Sequence, residues 1–323
     1  MRSWAKPWAR HWARKPLHRK WLGPGLNVQR SPLCGRDFEY FSEDPILAGR
    51  MAAAYVRGIQ KNGISACPKH FAVNSQELRR MASDSVLDER TLRELYLTGF
   101  EIVVKEAKPK TIMTSYNLIN GTYANENAHL LQDILRKDWG FDGAVVTDWG
   151  GSNDHALGVK NGSTLEMPCP GGDSIRELMK AVQDGKISEA DVDARLDEML
   201  ELVLSTHAAV EKAPRTFDAA AHHKLARRAA AESIVLLRNE GGILPLKPNE
   251  KLAVIGDFAE TPRYQGAGSS AVNALQVDTL LDSIKADDSG ITFVGYASGF
   301  ERQGAADAEK LEEAVALAKK ADT

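Results

Sequence analysis

Gly143-Ala-Val-Val-Thr-Asp-Trp-Gly150 is a short apolar run that ends abruptly in an acid, an indole and a glycine. Ala144, Val145 and Val146 are small or β-branched, which suits a strand buried on both faces. Asp148 is thereby delivered to the point where a buried strand meets a loop. In parallel α/β folds that edge gathers the chemistry. A lone strand-end Asp also caps helices and bends turns, so its meaning depends on what stands at the other strand ends.

Working outward, Ile64 to Cys67 reads as a strand that delivers Lys69-His70-Phe71 to a loop, and Thr111 to Ser115 as one that delivers Tyr116-Asn117. Thr164-Leu-Glu-Met-Pro168 is a further short strand. Helices are predicted between them. One runs over 46–61 and ends at the Asn62-Gly63 stop signal. A second runs over 88–106, with Leu92, Leu95, Tyr96 and Gly99 on one face, and a third over 125–139. Two more follow near 173–184 and 188–206. Strand, polar loop and helix repeat at roughly 30–45 residues, which argues for parallel βα units. The polar signatures all follow strands and none follows a helix, as in a (β/α) barrel whose site lies at its C-terminal face.

Residues 211–218, with Pro214, read as a linker. Beyond it a helix is predicted over 219–233, with strands at 234–237, 251–256 and 291–294, a flexible loop at 266–270 and a helix over 305–320. The chain of 323 residues stops where a further strand is expected.

Composition narrows the class. Hydrophobic content of 43% and charged content of 26% are ordinary for a globular protein. The net charge of −3 makes no electrostatic case for nucleic acid or an anionic membrane. No apolar run approaches the roughly 18–20 residues of a membrane span. Cys34, Cys67 and Cys169 form an odd set without a CxxC pair, which points to reduced thiols and a cytoplasmic setting. The eight histidines show no HxH or HExxH spacing, so neither metal nor cofactor is expected.

The first 21 residues stand apart. Trp4, Trp8, Trp12 and Trp21 are four of the chain's six tryptophans, and no acid precedes Asp37. A cationic membrane arm, a transit peptide and non-native sequence all fit this stretch. Pro7 and Pro16 interrupt any long amphipathic helix there.

Five strand-end signatures now stand together: Gly35-Arg36-Asp37-Phe38-Glu39-Tyr40, Lys69-His70-Phe71, Ser115-Tyr116-Asn117, Thr147-Asp148-Trp149-Gly150 and Leu165-Glu-Met-Pro168. Read singly, Arg36 is a loop cation paired with Asp37 or Glu39, Lys69-His70 a solvated pair, and Trp149 a core residue. In this order and spacing they closely resemble the family 3 glycoside hydrolases, the β-glucosidase family. Asn74-Ser-Gln-Glu77 with Arg80, and Tyr264-Gln-Gly-Ala-Gly-Ser-Ser270, extend the resemblance from about Gly23 to Thr323.

The resemblance implies an α/β fold: an incomplete (β/α)8 TIM-type barrel over 22–210, then part of an α/β sandwich domain over 219–323. It implies a retaining, exo-acting β-glycosidase acting on β-glucosides or short β-linked gluco-oligosaccharides. Asp148 matches the nucleophile. Arg36, Lys69, His70 and Arg80 match positions that bind the terminal sugar's hydroxyls, for which cationic donors give strong hydrogen bonds. Tyr116 matches a residue beside the nucleophile, and Trp149 an aromatic of the sugar pocket.

Such an enzyme needs a second carboxyl group about 5–5.5 Å from the nucleophile. In the family that Glu comes from a later loop of the second domain, and Glu240, Glu250 and Glu260 do not match its motif. Glu43, Asp44, Glu77 and Glu126 read as caps or structural carboxylates. The expectation is a chain shortened at both ends, without its acid/base residue and inactive alone. Ser163-Thr164 stands where members of the family often have Leu-Asp, which bears on local hydrogen bonding. A β-xylosidase or β-N-acetylglucosaminidase of the same family, or a sugar-binding pseudoenzyme, are the rival readings. Ala72-Val-Asn-Ser-Gln-Glu77 lacks the Gly- and His-rich loop of the hexosaminidases and favours the glucosidase branch.

Overall fold

Asp148's strand is one rung of a continuous parallel ladder. The computed structural model describes residues 20–212, 217–266 and 268–323. Most of the Trp-rich segment 1–21 and the centre of the 211–218 linker lie outside the described residues. Two compact units are present, Met1–Ala226 and Arg227–Thr323.

In the first unit, Lys20–Trp21 pairs in parallel with Ser65–Ala66, and Thr111–Met113 pairs in parallel with Ala144–Val146. Single parallel bridges, Gly25 to Lys69, Phe71 to Thr114 and Val146 to Leu165, close the gaps. Five neighbouring strands therefore run side by side in chain order, all aimed the same way, as part of a TIM-type barrel wall. Ala144, Val145 and Val146 are fully buried, as a strand covered on both faces requires. The predicted strand over 164–168 shrinks to the bridge at Leu165. Its flanking residues spend their hydrogen bonds across the ladder instead, Thr147 N donating to Leu165 O at 3.0 Å and Gly150 N to Met167 O at 2.8 Å.

Helices cover the outside of the ladder. Pro45–Gln60 starts where Asp44 accepts hydrogen bonds from the amides of Ile46 and Leu47 at 2.7 and 3.2 Å. The predicted helix over 88–106 is continuous but not uniform: Glu89–Thr91 leads into a π-helical stretch, Leu92–Leu97, and then α-helix Thr98–Ala107. The predicted helix over 125–139 breaks into a 3-10 turn, Ala124–Glu126, and a π-helical segment, His129–Asp138. Asn127 makes the break, its side chain accepting from the amide of Leu130 at 3.0 Å. Phe71, fully buried, packs its ring 5.2 Å from Phe100 and 5.8 Å from Trp139, tying strand to helices. One such buried aromatic contributes roughly 1.5–3 kcal/mol of transfer free energy.

Helix Glu189–Glu211 is fastened to the ladder by a largely buried ion cluster. Glu198 binds Arg136 at 2.9 Å and Arg195 at 2.8 Å, and accepts from the Thr164 hydroxyl. The same hydroxyl accepts from Val145 N at 2.9 Å. Thr164 therefore has its side-chain hydrogen bonds satisfied by this cluster.

Several elements escaped the sequence reading of this unit, strand Lys20–Trp21 among them. The others are helix His155–Asn161 and a small three-stranded sheet in which Leu118–Ile119 pairs in parallel with Asp84–Ser85 and antiparallel with Thr122–Tyr123.

In the second unit, Lys251–Ile255 and Thr292–Ala297 form a parallel pair. Helix Leu280–Lys285 lies within the crossover that such a pair requires, and Ala308–Ala318 follows it. The strand predicted at 234–237 is not formed. Ile234 to Leu237 find no strand partner among the described residues and are largely exposed.

Candidate active site

The C-terminal ends of the ladder strands bring all seven predicted residues into one chain of contacts. Asp148 leaves its strand largely buried, the residue only 8% exposed. One carboxylate oxygen accepts from the Trp149 amide at 2.7 Å, and the other lies 3.4 Å from His70 Nε2. Two partners on different strands thus orient the carboxylate.

His70 is 1% exposed and held from three sides. Asn27 acts as a backbone mimic: its oxygen accepts from His70 N at 2.7 Å and its nitrogen donates to His70 O at 2.9 Å. Tyr40 places its hydroxyl 3.2 Å from Nδ1 and accepts from Asn74 at 2.9 Å. Burial, then the positive charges of Arg36, Lys69 and Arg80, hold the imidazole pKa well below its ordinary value. Proximity to Asp148 would suggest an ion pair, but burial and three cations outweigh one carboxylate, so the ring is neutral. With the Tyr40 hydroxyl donating to Nδ1, Nε2 is the ring nitrogen that carries the proton, and it faces Asp148 at 3.4 Å.

The cations are clamped by two acids. Glu39 pairs with Arg36 and, at 3.4 Å, with Lys69. Glu77 pairs with Arg80 at 2.8 Å and Arg36 at 3.5 Å. Glu77 is therefore a holder of cations, and Glu126 a holder of backbone, accepting from the amides of Asn153 and Asp154 at 2.8 and 2.7 Å. The Arg80 guanidinium lies 4.5 Å from the centre of the Tyr116 ring. Tyr116 donates its hydroxyl to Trp149 O at 2.7 Å, and burial, with the charge of Asp148, pushes its pKa up to about 12. The phenol stays protonated as a donor at neutral pH. Trp149 is 46% exposed, which leaves its indole available as a flat apolar face.

Chemically, the arrangement offers an oriented carboxylate, donors fixed in a cationic arc, and an open indole. Asn27 carried no signal in the sequence; Asn74 and Tyr40 stood inside quoted motifs without a role, and Glu39 was read only as a partner of Arg36, which it is. Among the described residues, no three His, Cys, Asp or Glu side chains are grouped to hold a metal ion. Among the same residues, no helix is long and apolar enough to cross a membrane.

Residues 17–202 match the family model described as glycosyl hydrolase family 3 N terminal domain, and residues 234–323 match the corresponding C-terminal domain. The thermostable beta-glucosidase B of Acetivibrio thermocellus is 44% identical over 304 residues, covering 93% of this chain and 40% of the relative. An exo-alpha-(1->6)-L-arabinopyranosidase of Bifidobacterium longum is also 44% identical, over 311 residues and 40% of its length. Among solved structures, the family 3 beta-glucosidase of Bifidobacterium adolescentis superposes with a TM-score of 0.91 at 41% identity, over 99% of this chain and 46% of that one. Beta-glucosidase 3B of Thermotoga neapolitana, solved with α-D-glucose, gives 0.85 at 35% identity, over 99% and 43%. The chain thus spans about 40% of the length of the curated relatives it matches.

Proposed function

The chain belongs to glycosyl hydrolase family 3, and from that membership we propose that it carries the nucleophile half of a retaining β-glycosidase site that takes a terminal β-D-glucosyl unit. The observation that carries the reading is the unbroken contact chain from Arg36 through Glu77, Arg80, Tyr116 and Trp149 to Asp148 and His70. Its order along the strands follows the motifs that suggested it. Beta-glucosidases among the relatives, and a structure holding glucose, support the sugar.

In the first step an Asp148 oxygen bonds to the anomeric carbon while the carbon–aglycone bond breaks. The electron pair goes to the aglycone oxygen, which takes a proton from a general acid. In the second step water attacks the same carbon, its proton passes to the conjugate base, and the Asp148 ester bond breaks. His70, as a neutral donor, holds the carboxylate in line. Arg36, Lys69 and Arg80 engage the sugar hydroxyls, and Trp149 stacks against the ring.

The proton donor is not one of the barrel carboxylates near the cation arc. Glu39 and Glu77 are ion-paired, and Glu126 binds two amides. Chain 1–323 is accordingly expected to accept a glycosyl group from substrates whose leaving group needs no proton, and to turn over ordinary glucosides poorly. Incubation with 2,4-dinitrophenyl 2-deoxy-2-fluoro-β-glucoside should add one fluoroglucosyl unit to the intact mass, on the peptide containing Asp148. Asp148→Asn should slow labelling by at least ~10³-fold. Labelling elsewhere, or undiminished labelling of the variant, defeats the assignment.

The arabinopyranosidase relative favours one second reading, a pentopyranosidase that accepts a ring without the C6 hydroxymethyl. Parallel labelling with the fluoro-xyloside and fluoro-L-arabinopyranoside ranks the sugars directly.

A further inference from the structure

Behind His70 lies a line of buried polar groups to which the two steps above give no part. Asn74 is 1% exposed and Tyr40 6%. Asn74 Nδ2 donates to the Tyr40 hydroxyl at 2.9 Å, and that hydroxyl stands 3.2 Å from His70 Nδ1. The Tyr40 ring meets the imidazole edge-on, at 70°, with centroids 6.3 Å apart. Two further contacts fix its place. A Cβ on Gly25 would come within 2.9 Å of two Tyr40 ring carbons, and Gln29 Nε2 donates to Tyr40 O at 3.2 Å.

The direction of this line is set at its far end. Asn74 Nδ2 also lies 3.5 Å from Glu77 Oε1, whose carboxylate is paired with Arg80 and Arg36. Turning the amide over would set its oxygen against that carboxylate, so the amide keeps this orientation although its Oδ1 has no partner. The nitrogen therefore donates to Tyr40, and burial, which pushes the Tyr40 phenol pKa up, keeps the phenolic proton in place. A hydroxyl has one proton to give. With its oxygen accepting from Asn74, that proton goes to Nδ1, and the imidazole proton is confined to Nε2.

The same contacts resist a second proton on the ring. An imidazolium would have to donate from Nδ1 to the Tyr40 oxygen, and the Tyr40 O–H would then lose its acceptor inside the protein, which buried donors rarely do. The titratable and charged groups that face the ring are Tyr40 on the Nδ1 side, Asp148 on the Nε2 side, and the cations Arg36, Lys69 and Arg80. Those cations are themselves paired with Glu39 and Glu77. An imidazolium 3.4 Å from Asp148 would form an ion pair and draw the carboxylate's charge away from the anomeric carbon. A neutral ring orients the carboxylate without neutralising it.

We propose that Asn74 and Tyr40 are positioning residues, a one-way relay that keeps His70 protonated on Nε2 alone and so leaves Asp148 oriented with its charge intact. The relay stands on the contacts above. Its consequence for the reaction rests on Asp148 being the nucleophile, so the two are tested apart.

Two-bond 1H–15N NMR of the chain labelled with 15N-histidine reads the proton positions directly, His70 being the signal missing from His70→Asn. In the unaltered chain His70 should show a proton on Nε2 and a bare Nδ1 from pH 8 down to pH 5.5. A proton on Nδ1 overturns the proposal. Asn74→Asp, nearly isosteric, turns the relay round: the new carboxylate accepts from the Tyr40 O–H, whose oxygen then accepts from Nδ1–H. The His70 midpoint should rise by more than about one pH unit. Adding Tyr40→Phe should remove most of that rise, because the added charge stays while the relay is cut. No rise, or an equal rise with and without the Tyr40 hydroxyl, overturns the relay. Circular dichroism confirms the fold of each variant, and the unaltered chain's spectrum decides alone if one does not fold. Where His70 carries both protons, fluoroglucosyl labelling should slow, by about tenfold at pH 6 for a midpoint near 7, and recover at alkaline pH. Labelling at the full rate with His70 doubly protonated overturns the link to the reaction. Absence of labelling in the unaltered chain would sink the nucleophile reading and leave the NMR result as it stands.

Discussion

His70 sits in the interior with Arg36, Lys69 and Arg80 around it and Asp148 on its Nε2 side. Its folded pKa lies below the unfolded value of about 6.5, so the unfolded chain takes up the proton first as pH falls. This group is therefore neutral in its effect on stability above about pH 6.5. Below it, stability drops with a slope of up to about 1.4 kcal/mol per pH unit. Denaturant unfolding between pH 7.5 and 5.5 should show that loss, and His70→Asn should show a smaller one. Equal pH dependence in the two proteins would mean that His70 titrates normally. Single residues were legible in the sequence where a motif placed them at a strand end, as with Asp148 and His70. Asn27 was not legible, and Asn74 was quoted without its role, because their partners lie 43 and 34 residues away, His70 and the Tyr40 hydroxyl respectively.

Helices Pro45–Gln60 and Thr98–Ala107 meet through two glycines, and the same substitution should lower stability at one and not at the other. A Cβ on Gly49 would sit 3.0 and 3.1 Å from backbone atoms of Gly99 and 2.9 Å from the Ile102 side chain. Ile102 can turn aside, but the backbone cannot. Overpacking of this kind costs roughly 1–3 kcal/mol, more than the roughly 0.5–1 kcal/mol gained by replacing a helical glycine with alanine. Gly49→Ala is expected to lower the unfolding free energy. A Cβ on Gly99 meets nothing closer than 3.4 Å, ordinary contact, so Gly99→Ala should leave stability unchanged or raise it. Matching losses at both positions would sink the argument. Element identity came readily from periodicity, which found helix Pro45–Gln60 to within a residue. The hairpin of Leu118–Ile119 and Thr122–Tyr123 was readable but missed. Its Asn120-Gly121 turn has both residues at positive φ, 50° and 85°, the signature of a type I′ turn. The π-helical turns at Leu92–Leu97 and His129–Asp138 had no such mark in the sequence.

Over the whole molecule, the barrel ladder reproduces the strand order read from spacing, whereas the second unit shows where pattern alone misleads. Ile234-Val-Leu-Leu237 has the composition of a buried strand, and the sequence reading made it one. β propensity expresses fit to a half-buried pleated surface, not a preference of the isolated backbone. Paired with no strand among the described residues, these residues stand 78, 74, 61 and 91% exposed. A contiguous apolar run on the surface attracts other apolar surfaces. Val235→Lys together with Leu237→Lys should therefore lower binding of an environment-sensitive dye such as ANS and reduce self-association in sedimentation. Because exposed side chains contribute little to folding, the unfolding free energy should change by no more than about 0.5 kcal/mol. A loss of several kcal/mol would instead show that Ile234 to Leu237 are packed in solution, as a strand with a partner, and the sequence pattern would then be the better guide to this segment than its exposed conformation.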